Sequence, residues 1–64
     1  MIIVNRLDGS EFVINALLIE SVERTPDTII TLTTGKKLIV SQSVEEIIQR
    51  FEDFIRRTHM ITYK

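Results

Sequence analysis

Cysteine and tryptophan are absent from this 64-residue chain, which has one proline, one histidine and two glycines. Without cysteine, neither a disulfide nor a cysteine-based metal site can form. A lone histidine cannot make a histidine cluster for a metal, and the glycines match neither the Walker nor the Rossmann phosphate-binding pattern. Dense aliphatic packing and self-association therefore remain as the ways in which so small a domain gains stability.

A strong charge of one sign and a long apolar run are missing as well. Eight Lys and Arg residues stand against nine Asp and Glu residues, for a formal net charge of -1, so no basic excess draws the chain to nucleic acid. No apolar run approaches the ~20 residues of a membrane span. The chain opens with strand-like Ile2-Ile3-Val4, without the basic region and apolar core of a signal peptide, so we expect a cytoplasmic location.

The clearest local signal is a hairpin between residues 25 and 41. Two β-rich runs, Ile29 to Thr33 and Leu38 to Val40, flank a short turn that contains Gly35. A type I′ turn would force β-branched Thr34 to positive φ, so we predict a type I turn with Gly35 in the left-handed region and a bulge. Before the first run, Pro26 is expected at the second position of another type I turn.

A second hairpin is predicted near the start of the chain. Its strands are Ile2 to Leu7 and Glu11 to Ile14, joined by a turn at Asp8-Gly9. Asn15 can cap a short helical turn because its side chain accepts from backbone N–H groups two or three residues on. The charged stretch Glu20 to Arg24 suits an edge strand, where charge discourages stray pairing.

One helix is expected, beginning at Ser43. Ser43 and Glu46 form a capping box. An apolar stripe follows at helical spacing, widened by Phe54: Val44, Ile47, Ile48, Phe51 and Ile55. Pairs of opposite charge lie four residues apart along the helix: Glu46–Arg50, Glu52–Arg56 and Asp53–Arg57.

These signals predict one α+β domain over residues 1–64. Its sheet, over residues 1–41, is a small curved antiparallel one of four or five strands. One C-terminal amphipathic helix, over about residues 43–58, packs across one face of that sheet. A short apolar tail follows, and it extends the helix or packs on a partner chain.

Residues that could carry chemistry have simpler explanations. His59 lacks a nearby Ser, Cys or second His and is expected to be exposed or in an interface. Asp27 is a turn residue, and Glu45-Glu46 are accounted for by helix capping. No enzyme signature, metal site or cofactor site emerges from the residues.

Interaction residues are a better prospect than catalytic ones. Hydrophobic residues make up 44% of the chain, whereas a domain of this size buries only ~60% of its unfolded surface. Ile2, Ile29 and Ile39 need cover if they point away from the helix. We therefore expect a dimer or tetramer that uses the exposed sheet face or the tail. The candidate interaction residues are Lys36, Lys37, Ile39, Met60, Ile61 and Tyr63.

The chain resembles the FlbD/SwrD family of small flagellar motility and swarming proteins. The resemblance covers residues 1 to about 55. It is carried by Leu7-Asp8-Gly9 with Glu11-Phe12, Asn15, Leu18-Ile19-Glu20, Thr25-Pro26-Asp27-Thr28, Ile30-Thr31-Leu32, Gly35-Lys36-Lys37, Val40 and Ser43-Val44-Glu45-Glu46. The tail from Thr58 onward lies outside it.

The resemblance implies a cytoplasmic accessory protein and not an enzyme, with no catalytic residues or cofactors to assign. Its partners would be proteins, with flagellar stator components expected, at the motor on the inner face of the membrane. Two alternatives stay open. One is a small nucleic-acid-binding regulator with Arg6, Lys36 and Lys37 on one rim, and the other is a purely structural homo-oligomer.

Overall fold

A computed structural model describes residues 1–58 of the chain. The elements in chain order are β1 (Ile2–Asn5), β2 (Glu11–Ile14), a 3₁₀ turn (Ala16–Leu18), β3 (Ile19–Arg24), β4 (Thr28–Leu32), β5 (Lys37–Val40) and α1 (Val44–Thr58). The α+β class and the C-terminal helix are confirmed. The five strands, however, form two antiparallel sheets, β1-β2 and β3-β4-β5, so the predicted single curved sheet is not confirmed.

The side-chain amide of Gln42 joins the two sheets at a point where a continuous β-ladder would use backbone hydrogen bonds. The Ser41 N–H donates to the Asn5 carbonyl at 2.9 Å. The next contact uses Gln42, whose Oε1 accepts from the Asn5 N–H at 2.9 Å and whose Nε2 donates to Asn5 Oδ1 at 2.7 Å. Because Gln42 is only 8% exposed, its polar atoms depend on these bonds. Both backbone groups of Asn5 at the outer edge of β1 are thus bonded by Ser41 and Gln42 and not by a further strand of the described residues.

Both hairpins have the same loop. In the first, the Gly9 N–H donates to the Arg6 carbonyl at 2.9 Å and the Arg6 N–H to the Ser10 carbonyl at 2.8 Å. In the second, Gly35 and Leu32 donate in the same way, each at 2.8 Å. Each glycine has φ +94, a value that L side chains rarely adopt. The predicted glycine-closed turn with a bulge is confirmed at Gly35 and recurs at Gly9.

The turn at Pro26 differs from the prediction. A type I turn is closed when the fourth N–H donates to the first carbonyl. Here the Thr25 N–H donates to the Asp27 carbonyl at 3.0 Å, and the Thr25-Pro26 peptide bond is cis. The closing hydrogen bond of a type I turn is not the bond found here, so that prediction is not confirmed, although the chain still reverses there to pair β3 with β4.

The core lies between the inner faces of the two sheets and the helix. Alternate residues of the strands face inward, as the period of two requires. The buried apolar residues are Ile2, Val4, Ile14, Ala16, Ile30, Val40, Ile47 and Ile55. Burial of a large aliphatic side chain contributes about 1.5–3 kcal/mol before entropy. Ile2, which was expected to need cover if it pointed away from the helix, is part of this core.

The helix begins at the predicted capping box. The Ser43 N–H donates to Glu46 Oε1 at 2.7 Å, and the Glu46 N–H donates to Ser43 Oγ at 3.0 Å. Ile47 and Ile55 are buried, but Ile48 is 48% exposed. The buried stripe is therefore rotated from the predicted one, and Ile48 lies on its flank.

The charged residues of the helix pair differently from the prediction. Among the described residues, none of the three expected pairs four residues apart is formed. Glu46 is occupied by the cap, and Arg50 Nη1 donates to the Ile3 carbonyl of β1 at 2.6 Å. Asp53 Oδ1 instead accepts from Arg56 at 2.6 Å. Arg50 thus supplies a second side-chain contact to the outer edge of β1.

Candidate interaction surfaces

The described residues offer several surfaces and no cluster of metal-binding side chains. Within residues 1–58, no group of three His, Asp or Glu side chains is placed to hold a metal ion. In the same range, every buried side-chain nitrogen and oxygen has a hydrogen-bond partner. Asp27 is exposed in its turn, and Glu46 caps the helix. His59, Met60, Ile61 and Tyr63 lie outside the described residues.

The first surface is a depression where the tip of the first hairpin meets strand β5. Its volume is about 440 Å³, and we call it the hairpin depression. It is lined by Arg6, Leu7, Asp8, Phe12, Lys37, Leu38 and Ile39. Two candidate interaction residues, Lys37 and Ile39, thus lie in one place. Lys36 is exposed beside it but is not part of the lining.

The charges of the hairpin depression are held in place by local contacts. The Arg6 guanidinium lies 4.2 Å from the centroid of the Phe12 ring, and its Nη1 donates to Ser10 Oγ at 3.3 Å. Such a cation–π contact stabilises an exposed site by about 0.5–1 kcal/mol. Lys37 Nζ is within 3.5 Å of Thr31 Oγ1. The depression therefore presents two cations beside apolar surface.

Asp8 is fixed in the same hairpin. The Ser10 N–H donates to Asp8 Oδ1 at 2.9 Å, and Ser10 Oγ donates to the same atom at 2.7 Å. The bond from the Ser10 backbone, followed by the one from its hydroxyl, lowers the pKa of Asp8 below its ordinary value. One carboxylate therefore lies next to the cations, and the depression carries both signs of charge.

Sequence reasoning placed Arg6 on a possible basic rim but missed the apolar part of the hairpin depression. Leu7 is a turn residue that is 58% exposed, and Phe12 is half-buried under Arg6. The available signal was a large apolar residue inside a tight turn, where polar residues are usual.

The second surface is the outer face of the three-stranded sheet. Ile29 of β4 lies directly opposite Ile39 of β5. Ile39 is 48% exposed, whereas Ile29 is half-buried. On the other sheet, Ile3 and Val13 form a similar cross-strand pair, and both are exposed. Each sheet therefore presents one apolar pair to solvent.

The third surface is a groove of about 460 Å³ between strand β3 and helix α1, which we call the β3 groove. It is lined by Ile19, Glu20, Ser21, Val22, Val44, Ile47, Ile48, Phe51 and Glu52. At one end Arg24 and Glu45 form an ion pair of 3.3 Å, with side chains 54% and 73% exposed. A pair this exposed contributes about 0–1 kcal/mol. Sequence reasoning missed the groove because Ile48 was assigned to the core.

Comparison with protein families gives one match. The family model for FlbD, described as flagellar and swarming motility proteins, matches residues 1–59. Comparisons with curated proteins and with solved structures gave no match. The family match spans both hairpins, strand β3 and the described part of the helix. Within residues 1–58, no helix has the length and apolarity needed to cross a membrane.

Proposed function

The chain belongs to the FlbD family of flagellar and swarming motility proteins, and we propose that it acts in flagellar motility as a non-enzymatic factor. In this proposal it works in the cytoplasm, at the motor, by contact with other proteins, and the expected partners are components of the flagellar stator. The observation that supports contact as the mode of action is the hairpin depression, in which fixed cations adjoin exposed apolar side chains.

The chemistry of the hairpin depression suits a protein partner. Leu7 and Ile39 are exposed beside Arg6 and Lys37. Interfaces favour apolar surface combined with arginine, and a preordered side chain loses less entropy on binding. The partner segment would carry an acidic residue to meet Lys37 and an apolar residue to cover Ile39.

A nucleic-acid-binding role is the second candidate, since Arg6 and Lys37 line the same depression. Affinity for phosphates requires a cationic surface, and here Asp8 lies among the cations while the net charge of the chain is -1. A protein partner is therefore favoured over RNA or DNA. Filter binding over a salt series tests this, and tight, salt-sensitive binding would reverse the order of the two candidates.

Self-association belongs to the same proposal. The exposed Ile39 and the exposed pair Ile3 and Val13 give each sheet apolar surface that a second copy could cover. We propose that the chain forms a dimer or tetramer and that the motility factor works in this form. A third candidate function is a purely structural homo-oligomer, in which assembly is the only role of the chain.

Two adjacent lysines give a matched test of the hairpin depression. Lys37→Glu reverses a charge in the lining, and Lys36→Glu makes the same change just outside it. In pull-downs from flagellated cells, we expect the natural chain and Lys36→Glu to capture stator components in preference to rotor components. Lys37→Glu should capture about tenfold less, the loss expected from ~1.4 kcal/mol, and should reduce swarm expansion. Equal capture by the two variants would remove the depression from the mechanism.

A further inference from the structure

Among the described residues, one edge of strand β3 is unpaired, and the hydrogen-bond ladder shows which residues face it. Within residues 1–58, β3 lies at the end of its sheet and pairs only with β4. The bonds between Leu32 and Lys36 at the second hairpin fix the alternation along β4, because successive residues of an antiparallel strand bond to opposite neighbours. Ile29 and Thr31 therefore bond to β3. Since Val22 pairs with Ile30, the N–H and C=O of Val22 point to the free edge.

Apolar side chains of the helix flank this edge. Val22 shares the lining of the β3 groove with Val44, Ile48 and Phe51. Ile48 is 48% exposed although it lies beside the core. An open strand edge next to an apolar groove is the arrangement in which one chain adds a strand to another: backbone hydrogen bonds join the strands and side chains fill the groove.

The charges of β3 select the added strand. We propose that two copies of this chain pair through β3 in antiparallel orientation about a two-fold axis at Val22. Glu20 has no partner on β4, because the β3–β4 register shifts between Ile19 and Ser21. In the proposed register Glu20 of each copy lies opposite Arg24 of the other, so two ion pairs form by symmetry. Residues directly opposite on antiparallel strands interact, and opposite charges there are favourable.

Neighbouring registers lack this complementarity. An axis at Ser21 places Glu20 opposite Val22 and forms no charge pair. An axis at Glu23 places two like charges directly opposite each other, which is unfavourable. The charges of β3, which discourage stray edge pairing, therefore permit one self-complementary register.

The β3 pairing also covers apolar surface. Because Ile48 lines the groove beside Val22, the β3 of the second copy lies next to it. The Arg24 side chain is 54% exposed although it pairs with Glu45, so its guanidinium has room for a second carboxylate. The result is a continuous six-stranded sheet with one helix from each copy on the same face. This inference concerns the chain alone and holds whether or not it contacts a stator.

Charge reversal and its compensation test the register. Sedimentation equilibrium of the purified full chain should give a species of twice the 7.4 kDa chain mass. Glu20→Arg and Arg24→Glu should each raise the dimer Kd about tenfold or more, because two favourable pairs become repulsive. The double variant should return the Kd to within about threefold of the natural value, since the two pairs are restored with reversed sign.

The double variant also separates this register from an effect inside one chain. Arg24→Glu breaks the contact with Glu45, and adding Glu20→Arg does not restore it, so recovery of the dimer must come from the contact between copies. Circular dichroism checks that each variant keeps its fold. A monomer at all concentrations would overturn the proposal. So would a dimer that is indifferent to the charge reversals but is dissociated by Ile39→Glu or by removal of residues 59–64.

Discussion

The two hairpins share a loop but differ in what they join. Each closes with a glycine at φ +94 and the same pair of backbone hydrogen bonds. The β4-β5 hairpin continues into β3 through a backbone ladder. The β1-β2 hairpin remains a two-stranded sheet, and Ser41, Gln42 and Arg50 form hydrogen bonds with the outer edge of β1. Local turn chemistry therefore forms a hairpin, and distant contacts decide which sheet it belongs to.

Gln42→Ala should produce the largest change in this comparison. It removes two hydrogen bonds to Asn5 and leaves the Asn5 N–H without its protein partner, at a cost of about 1–3 kcal/mol in the free energy of unfolding. Chemical denaturation measures the loss. In Gln42→Ala, hydrogen exchange should show faster opening at Asn5 than at Ile30, because the Gln42 side-chain amide anchors β1 and takes no part in the β4 ladder.

Gln49→Ala is the matched control for Gln42→Ala. Gln49 is exposed, and its one side-chain hydrogen bond among the described residues goes to Asp53 at 3.1 Å. A surface change of this kind is expected to stay within about 0.5 kcal/mol. Equal destabilisation by the two variants would mean that Gln42 has no special role in joining the sheets.

How far the sequence predicts this fold depends on distance along the chain. The capping box of Ser43 and Glu46 and the bulged turn at Gly35 were predicted correctly because their partners lie within a few residues. The division into two sheets was missed because Asn5 and Gln42 are 37 residues apart, and no local pattern pairs them. The predicted β-strand at the start of the chain also ran two residues too far, since Arg6 and Leu7 belong to the turn.

The surfaces were predicted less completely than the fold. Helical spacing identified Ile48 as apolar, but spacing does not say how wide a face the sheets can cover. Lys37 and Ile39 were chosen as single exposed residues of one hairpin, and the structure places them with Leu7 and Phe12 of the other hairpin. Such a surface becomes visible only when the two hairpins are set side by side.

Substitution of the two glycines tests whether the loops are equivalent. Gly9→Ala and Gly35→Ala each place a Cβ where no other atom lies within 4 Å, so the cost comes from the backbone alone. A left-handed conformation costs an L residue about 1–2 kcal/mol, and denaturation should give nearly the same loss for both variants. A clear difference between them would show that one hairpin relaxes its loop while the other holds it.

The smallest expected effect is a difference between the two loops in how their contribution to stability depends on pH. Asp8 accepts the Ser10 N–H in the first loop, whereas in the second Thr34 Oγ1 accepts the Lys36 N–H at 3.4 Å. The pKa of Asp8 is lowered in the folded chain, so the contribution of the Asp8 carboxylate to stability is fully present above the unfolded pKa of ~3.9 and is lost as pH falls through the folded pKa.

Asp8→Asn keeps an acceptor but cannot ionise. Its loss of stability relative to the natural chain should therefore be largest near neutral pH and shrink in acid. Thr34→Asn, the matched change in the second loop, should shift stability by the same amount at every pH. A pH-independent difference for Asp8→Asn would show that the Asp8 charge does not stabilise its loop.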